Sequence, residues 1–348
     1  MSKKSYLSAG DDVPEEDVVR LGLNGFGRIG RNVFRAVLDD PRVALVGIND
    51  VMSEDDAAYL AKYDSVMGRL DGVELRDGKL TVGDTSAELL TVQSPAELPW
   101  DDLDVDVALE ATGIFRTFED ANCHVEAGAD TAIISAPPKG DTPVTQIVYG
   151  VNHEEYDGEA VVSNASCTTN SVAPVAKVLD EEFGIEAGQL TTIHAYTGSQ
   201  ALIDAPMGKR RRGRAAAENV VPTSTGAAKA TTEILPELDG KLDGMAVRVP
   251  IPNGSLTDLT VNLEARPDAE TINDAFRAAA DGDLAGVLGY TDDEVVSRDI
   301  LGLPFSSYVD LQSTNVVADG RQAKVLTWYD NEFGFSCRML DLARYVAR

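Results

Sequence analysis

The sequence predicts an α/β chain in two parts, a doubly wound parallel sheet followed by an α+β part whose strands run mostly antiparallel. Three observations carry that expectation. Up to about residue 166, short apolar runs alternate with stretches of helical periodicity, the pattern of strand–helix–strand units. A glycine-rich turn, Gly25-Phe26-Gly27-Arg28-Ile29-Gly30, stands directly between one such run and one such helix. Beyond that point the apolar residues alternate, most clearly in Leu190-Thr191-Thr192-Ile193-His194-Ala195-Tyr196-Thr197, as they do in a half-buried strand. At 348 residues the chain is long enough for two domains of ordinary size.

In chain order, residues 1–17 carry Lys3-Lys4 and then Gly10-Asp11-Asp12-Val13-Pro14-Glu15-Glu16-Asp17, with no apolar stretch of the secretory kind. They read as a mobile, acidic extension. Residues 18–23 form a short apolar strand. After the glycine turn, Val33, Phe34, Val37 and Leu38 recur at helical spacing. This is G-x-G-x-x-G in the setting it needs, a strand before and a helix after. Gly25 makes the tight turn, Gly27 lets a pyrophosphate approach the backbone, and Gly30 lets the helix pack close to the strand. A second strand at 43–48 ends in Asn49-Asp50. Asp50 lies about 20 residues beyond Gly30, where a carboxylate meets the adenosine ribose of a dinucleotide. A carboxylate accepts from a free 2′-hydroxyl and repels a 2′-phosphate, so NAD is favoured over NADP.

Further strands are expected at 79–82, 87–92 and 105–110. The last ends in Ala111-Thr112-Gly113, at a carboxyl end of the kind where open parallel sheets bind ligands. Strands at 131–135 and 147–151 follow, then Asn152-His153, where His153 reads as a turn residue. A helix over 118–127 accounts for the adjacent Cys123-His124. No Cys/His grouping has zinc spacing, and no metal site is expected.

The octapeptide Ser163-Asn164-Ala165-Ser166-Cys167-Thr168-Thr169-Asn170 joins a buried strand, Ala160-Val161-Val162, to the apolar-periodic run Val172, Val175, Ala176, Val178, Leu179. Strand, polar turn, helix places Cys167 at a helix N-terminus, where unpaired N–H groups and the positive dipole end favour an anion. Its thiol should therefore ionise more readily than a free one. A buried structural cysteine is the plainer alternative. The helix stops near Phe183-Gly184. His194, in the next strand, is either a structural histidine or the base that such a thiol needs. Few other candidates exist, which favours the base, paired with the thiol as thiolate and imidazolium.

Residues 198–214 read as a long loop holding Lys209-Arg210-Arg211-Arg212-Gly213-Arg214. This cluster is either a solvated or subunit-contact loop or an anion site beside a cofactor. Pro222-Thr223-Ser224-Thr225-Gly226 supplies hydroxyls and a glycine ahead of a helix from Ala227, an arrangement suited to an anion. Arg248 lies in the apolar strand 244–250 and is therefore paired or ligand-binding. Residues 256–263, 309–311 and 324–329 extend an antiparallel sheet. The chain closes with Asn331-Glu332-Phe333-Gly334-Phe335 and an amphipathic helix through Met339, Leu342, Ala343 and Val346.

Composition narrows the function classes. The net charge is −28, from 58 acidic against 30 basic residues, dispersed in short clusters such as Glu54-Asp55-Asp56 and Asp292-Asp293-Glu294. Such a surface repels nucleic acid and anionic membranes. It also implies a salt-rich cytoplasm, since screening relieves self-repulsion; greatest stability in low-salt buffer would contradict this. Three cysteines, an odd number without framework spacing, fit a reducing, cytoplasmic location. No apolar run is long enough to cross a bilayer as a helix.

Taken together, residues 24–31, Asn49-Asp50, Ala111-Thr112-Gly113, 163–170, 192–197, 211–217, 223–230, 244–250 and 328–334 closely resemble the phosphorylating glyceraldehyde-3-phosphate dehydrogenases of the bacterial and eukaryotic type. The resemblance runs from about Val19 to the end, leaving only residues 1–17 without a counterpart. It implies a Rossmann-type NAD(P)-binding domain over 18–166, completed by the C-terminal helix 331–348, and a catalytic domain over 167–330. Cys167 would attack the aldehyde, giving a hemithioacetal and then a thioester, with His194 as base and inorganic phosphate releasing 1,3-bisphosphoglycerate. Cofactor contacts would come from Asn24, Gly25, Phe26, Gly27, Arg28, Ile29, Gly30, Asp50, Thr112, Gly113, Ser135 and Asn331, the last orienting the nicotinamide carboxamide. Thr197 and Arg248 match the substrate-phosphate pocket; Ser166, Thr168, Arg212, Thr225 and Gly226 match the pocket for inorganic phosphate. The family is homotetrameric, with the loop around 196–218 reaching a neighbouring subunit's cofactor, and works in glycolysis or gluconeogenesis. Three positions depart from its usual pattern. Ser199 replaces an aspartate, Phe335 replaces a tyrosine, and Ala205 stands before Pro206 where NAD-strict members carry leucine, which leaves room for NADP. A sister enzyme acting on erythrose 4-phosphate and a non-catalytic dinucleotide-binding scaffold are the alternatives.

Overall fold

The computed structural model describes Pro14 and residues 17–348. The extension expected over 1–17 therefore lies outside the described residues, apart from Pro14 and Asp17. The described chain forms two compact units, one comprising the residues up to Tyr149 with His153–Ala165 and Ser336–Arg348, the other Gly150–Asn152 and Ser166–Phe335.

In the first unit, β1 (Val19–Asn24), α1 (Arg28–Val37), β2 (Val43–Asn49) and α2 (Glu54–Lys62) open the chain. Then come β3 (Glu74–Arg76), β4 (Lys79–Val82), β5 (Thr85–Leu90), β6 (Val107–Glu110), α3 (Phe118–Glu126), β7 (Thr131–Ile134), β8 (Thr145–Gln146) and β9 (Val161–Ser163). They build a nine-stranded sheet in the order β3-β4-β5-β2-β1-β6-β7-β9-β8. Every pairing from β5 to β8 is parallel, and only the β3–β4–β5 edge is antiparallel. Order reverses beside β1, whose neighbours are β2 and β6, so the loops after β1 and β6 face the crevice at the switch point.

Two glycines of the first loop are required by contact. A Cβ on Gly25, at φ +99°, would lie 2.5 Å from the Thr112 nitrogen, and one on Gly30 would lie 2.0 Å from the Gly25 carbonyl oxygen. The turn, α1 and the loop after β6 are thus packed backbone to backbone. Behind them is a polar chain with no exposed member. Trp100 Nε1 donates to His124 Nδ1 (3.0 Å), which leaves Nε2–H for Glu110 Oε2 (3.2 Å). Glu110 also accepts from Asn24 Nδ2 (2.6 Å), the Thr112 nitrogen (2.8 Å) and the Thr112 hydroxyl. His124, on α3 as expected, is thereby the fully buried link of this chain.

One expected strand is cut short. β8 ends at Gln146, the Ile147 nitrogen still donates to the Ser163 carbonyl oxygen of β9 at 2.8 Å, and residues 149–152 form a turn with Gly150 at φ +85°. Ile147 and Val148 are both fully buried in the core.

In the second unit, α4 (Cys167–Phe183) is followed by β10 (Ile185–Ala195), β11 (Val221–Ser224), α5 (Ala227–Ile234), β12 (Leu242–Val249), β13 (Ser255–Leu263), α6 (Ala269–Asp281), β14 (Leu288–Thr291), β15 (Ser307–Val317) and β16 (Gln322–Tyr329). The seven-stranded sheet runs β11-β12-β10-β13-β16-β15-β14. It is antiparallel except for β10–β12 and β14–β15, which are parallel. β13 alternates buried and half-buried residues along its whole length, the signature of one face on a core. The last helix, α7 (Phe333–Val346), buries Met339, Leu342, Ala343 and Val346.

Candidate active site

Cys167 is the first residue of α4, and the turn that delivers it is strained. Ala165 sits at φ +53° although it is not glycine, and its N–H is held by the Ser163 hydroxyl (3.0 Å). Ser166 caps the helix by accepting from the Thr169 nitrogen at 3.0 Å. That leaves the Cys167 and Thr168 N–H groups, in the first turn, without intrahelical acceptors and able to hold an oxyanion.

His194 Nε2 lies 3.5 Å from Cys167 Sγ. Its Nδ1 is 2.7 Å from the Ala195 carbonyl oxygen, which can only accept, so the ring proton belongs on Nδ1 and Nε2 presents its lone pair to sulfur. The ring edge packs on Tyr329 (centroids 5.9 Å, planes at 84°). The Tyr329 hydroxyl is itself fixed between Thr168 Oγ1 (3.0 Å) and Thr192 Oγ1 (2.7 Å). One buried phenol, which sequence reading missed, thus braces the base and the residue that follows the nucleophile. Its place depends on the long-range register of β13 and β16, for which no local signal exists.

The charge state differs from the thiolate–imidazolium pair expected above. Burial pushes the Cys167 thiol up, against the opposing pull of the Arg248 charge. Burial, then the nearby Arg248 charge, lowers His194 to about 3, opposed by its bond to Ala195. Both shifts favour the uncharged forms, a thiol facing a neutral imidazole. This has a consequence for stability. A folded value below the unfolded one, near 6.5, means that only the unfolded chain takes up this proton between those values. The contribution is complete above about pH 6.5 and is lost as pH falls toward 3. Between pH 6.5 and 5 the parent should lose on the order of 2 kcal/mol more than His194→Asn, measured by urea unfolding at fixed salt. Identical losses would mean that the folded protein protonates this ring normally.

Two guanidiniums lie near the pair, and each acts electrostatically on His194. Arg248, paired with His194 in the β10–β12 register, spends Nη1 on the Ala195 oxygen (2.8 Å) and Thr197 Oγ1 (3.5 Å). Arg212 reaches the Thr223 hydroxyl (3.0 Å), the Ser199 hydroxyl (3.4 Å) and the Ser224 carbonyl (3.4 Å). Among the described residues neither meets a carboxylate, in a chain of net charge −28. Unneutralised, half-buried guanidiniums beside a nucleophile suit an anionic substrate. Of the other expected anion ligands, Thr225 Oγ1 accepts from the Ala227 nitrogen (3.1 Å) and Gly226 is the exposed N-cap of α5, with no side-chain cap. Ser166 and Thr168 have hydroxyls already engaged, one in capping and one with Tyr329.

In the first unit the turn after β1 fits a dinucleotide. Gly27 is the N-cap of α1, with no side-chain cap and no acidic residue in the first turn, and a Cβ on it would meet nothing within 4 Å. An uncapped helix N-terminus and open space together suit a pyrophosphate. Asp50 is aimed by the Phe26 nitrogen (2.6 Å) and the Met52 nitrogen (3.1 Å). Arg28 pairs with Asp64, and the Ile29 carbonyl accepts from the Ser336 hydroxyl (3.4 Å). The side chains of Asn24 and Thr112 turn inward to Glu110, so these two residues offer backbone rather than side chain. Gly113, φ +70°, follows Thr112, and Ser135 follows β7 with its nitrogen on the Glu110 carbonyl oxygen (2.9 Å). Asn331 belongs to the second unit, and Phe335 there is buried. Among the described residues no His/Cys/Asp/Glu group could hold a metal ion, and no helix is long and apolar enough to cross a membrane.

Comparison with known proteins matches residues 19–118 to the NAD binding domain of glyceraldehyde 3-phosphate dehydrogenase and residues 166–331 to its C-terminal domain. The chain is 67% identical to the glyceraldehyde-3-phosphate dehydrogenase of Haloarcula vallismortis over 330 residues, 94% of this chain and 98% of the relative. It is 50% identical over 332 residues to that of Geobacillus stearothermophilus, again 94% and 98% of the two chains. With the Mycobacterium tuberculosis H37Rv protein of the same name, identity is 52% over 340 residues, 95% and 99% of the two chains.

Proposed function

The chain belongs to the glyceraldehyde-3-phosphate dehydrogenase family, and from that premise we propose that Cys167 and His194 are the nucleophile and base with which it oxidises and phosphorylates glyceraldehyde 3-phosphate. The observation that carries the residue assignment is the 3.5 Å approach of Nε2 to Sγ with the ring proton held on the far nitrogen. The thiol proton moves to Nε2 as sulfur bonds to the aldehyde carbon, and the new oxyanion is held by the Cys167 N–H. Bound NAD supplies the hydride acceptor, with Gly25, Gly27 and Gly30 holding its pyrophosphate and Asp50 its adenosine ribose. The acyl group then remains on sulfur as a thioester. Arg248 with Thr197 holds the substrate phosphate, and Arg212 with Thr225 and Gly226 holds inorganic phosphate. Attack of that phosphate on the thioester breaks the C–S bond, releases 1,3-bisphosphoglycerate and returns the sulfur for another turn. Erythrose 4-phosphate oxidation and a non-catalytic scaffold are not favoured, since relatives at 50–67% identity over nearly their whole length carry the triose-phosphate name.

The same premise extends to assembly and setting. We assign a homotetramer, supported by Leu202 (80% exposed), Ile203 (74%) and Val220 (64%), apolar side chains that a monomer would leave in water. A net charge of −28 and 67% identity to a protein of a halophilic archaeon accord with a salt-adapted enzyme. Cytoplasmic glycolysis or gluconeogenesis is its proposed setting.

NAD is the preferred cofactor in this reading, with NADP admitted by the small side chain of exposed Ala205. Initial rates in molar KCl with glyceraldehyde 3-phosphate and phosphate test it. NAD should exceed NADP by about tenfold or more in kcat/KM, from repulsion between Asp50 and the 2′-phosphate, and Asp50→Ala should narrow that gap. Equal efficiencies in the parent would remove Asp50 from cofactor selection.

A further inference from the structure

Ser255 opens β13 and is fully enclosed. Across one edge of the strand its partner is Tyr329; across the other lies β10, which ends at Ala195. The hydroxyl is used twice. The Ala195 nitrogen donates to Oγ at 3.1 Å, and Oγ–H donates to Asn331 Oδ1 at 2.7 Å. The carbonyl of the same Ala195 receives His194 Nδ1 at 2.7 Å and Arg248 Nη1 at 2.8 Å. One alanine's peptide groups and one hydroxyl thus join the base, a substrate-side guanidinium and the amide of Asn331.

The backbone on either side of Asn331 is secured independently. Asp330 Oδ1 accepts from Asn253 Nδ2 (2.8 Å), the Glu332 nitrogen (2.9 Å) and the Phe333 nitrogen (2.8 Å), while Oδ2 accepts from the Gly302 nitrogen (2.8 Å). What remains free to choose is the last torsion of the Asn331 side chain, which is intrinsically soft. Turning the amide over would put N–H₂ against the Ser255 hydroxyl and leave that buried proton with no acceptor among the described residues, a costly arrangement. In the orientation Ser255 selects, Nδ2 has no acceptor among the described residues and is left to donate outward.

We propose that Ser255 is a positioning residue for the cofactor. It selects the amide orientation in which Asn331 Nδ2 can donate to the carboxamide oxygen of a nicotinamide, and it fixes the peptide whose carbonyl sets the tautomer of His194. This rests on the reading of Asn331 as the residue that orients the nicotinamide.

Calorimetric binding of NAD and of ADP-ribose, which lacks the nicotinamide, to the full-length protein tests it without turnover. Ser255→Ala should weaken NAD by roughly tenfold, the size of one hydrogen bond, and leave ADP-ribose within about twofold. Ser255→Thr, which keeps the hydroxyl, should restore most of the difference, and Asn331→Ala should show the same selective loss. ADP-ribose is the control for folding, since general damage weakens both ligands. If Asn331→Ala is selective but Ser255→Ala weakens both ligands equally or neither, the role assigned to Ser255 is overturned while the Asn331 reading stands. If Asn331→Ala also treats the two alike, that reading fails and takes the proposal with it.

Discussion

Cys167→Ala is expected to lower kcat on the order of 10⁴-fold or more, because the reaction loses the atom to which the acyl group is bonded. The other two cysteines belong to the first unit. Cys123 lies on α3 in the first unit, its thiol donating to the Glu119 carbonyl at 3.4 Å, and Cys337 follows in α7 of the same unit. The paired control is Cys123→Ala, which should leave the rate within about twofold, as a substitution away from the chemistry. NAD binding to Cys167→Ala, followed by calorimetry, should persist, since the dinucleotide turn belongs to the other unit. Parent-like turnover in Cys167→Ala would end the assignment, whatever the similarity to known enzymes.

His194→Asn should lower the rate by about 10²–10⁴, the usual scale for removing a general base. Asparagine keeps a polar group at the site but cannot accept a proton near neutrality. The resting charge state sharpens this expectation. With sulfur kept as a thiol by burial and the imidazole kept neutral, each turnover must begin with proton transfer from Sγ to Nε2. In the variant only the small fraction of thiolate reacts, so its rate should climb with pH across the range where the parent is nearly flat. Stopped-flow measurement of the first turnover from pH 6 to 9 reads this directly, and a near-normal rate with a flat profile would contradict the role given to His194.

Much of this was legible in the sequence because the signals are local. The glycine turn, the acid at the end of β2 and the polar octapeptide before α4 each lie within one connection, where chain geometry and residue type are tightly coupled. The strand over 147–151 was drawn too long for the opposite reason. Ile147 and Val148 are apolar and buried, and an apolar run alone does not show where the ladder gives way to the turn at 149–152. The charge state of the site was misread because a helix terminus can be seen in sequence and the depth of burial around it cannot. Tyr329 and Ser255 were invisible for a related reason, since each acts through strand register between segments far apart in the chain. His124 looked like an ordinary helix position, but its significance lies in meeting Trp100 and Glu110, from two other segments, inside the core.

The central claim is that the substrate's acyl group is carried on one sulfur, that of Cys167. Mixing the enzyme with NAD and glyceraldehyde 3-phosphate in phosphate-free buffer, quenching in acid and mapping the peptides by mass spectrometry tests it most directly. The account predicts a 3-phosphoglyceroyl adduct on the peptide containing Cys167, lost on adding inorganic phosphate before the quench. An adduct on Cys123 or Cys337, or NADH formation in the first turnover with no adduct at all, would contradict it.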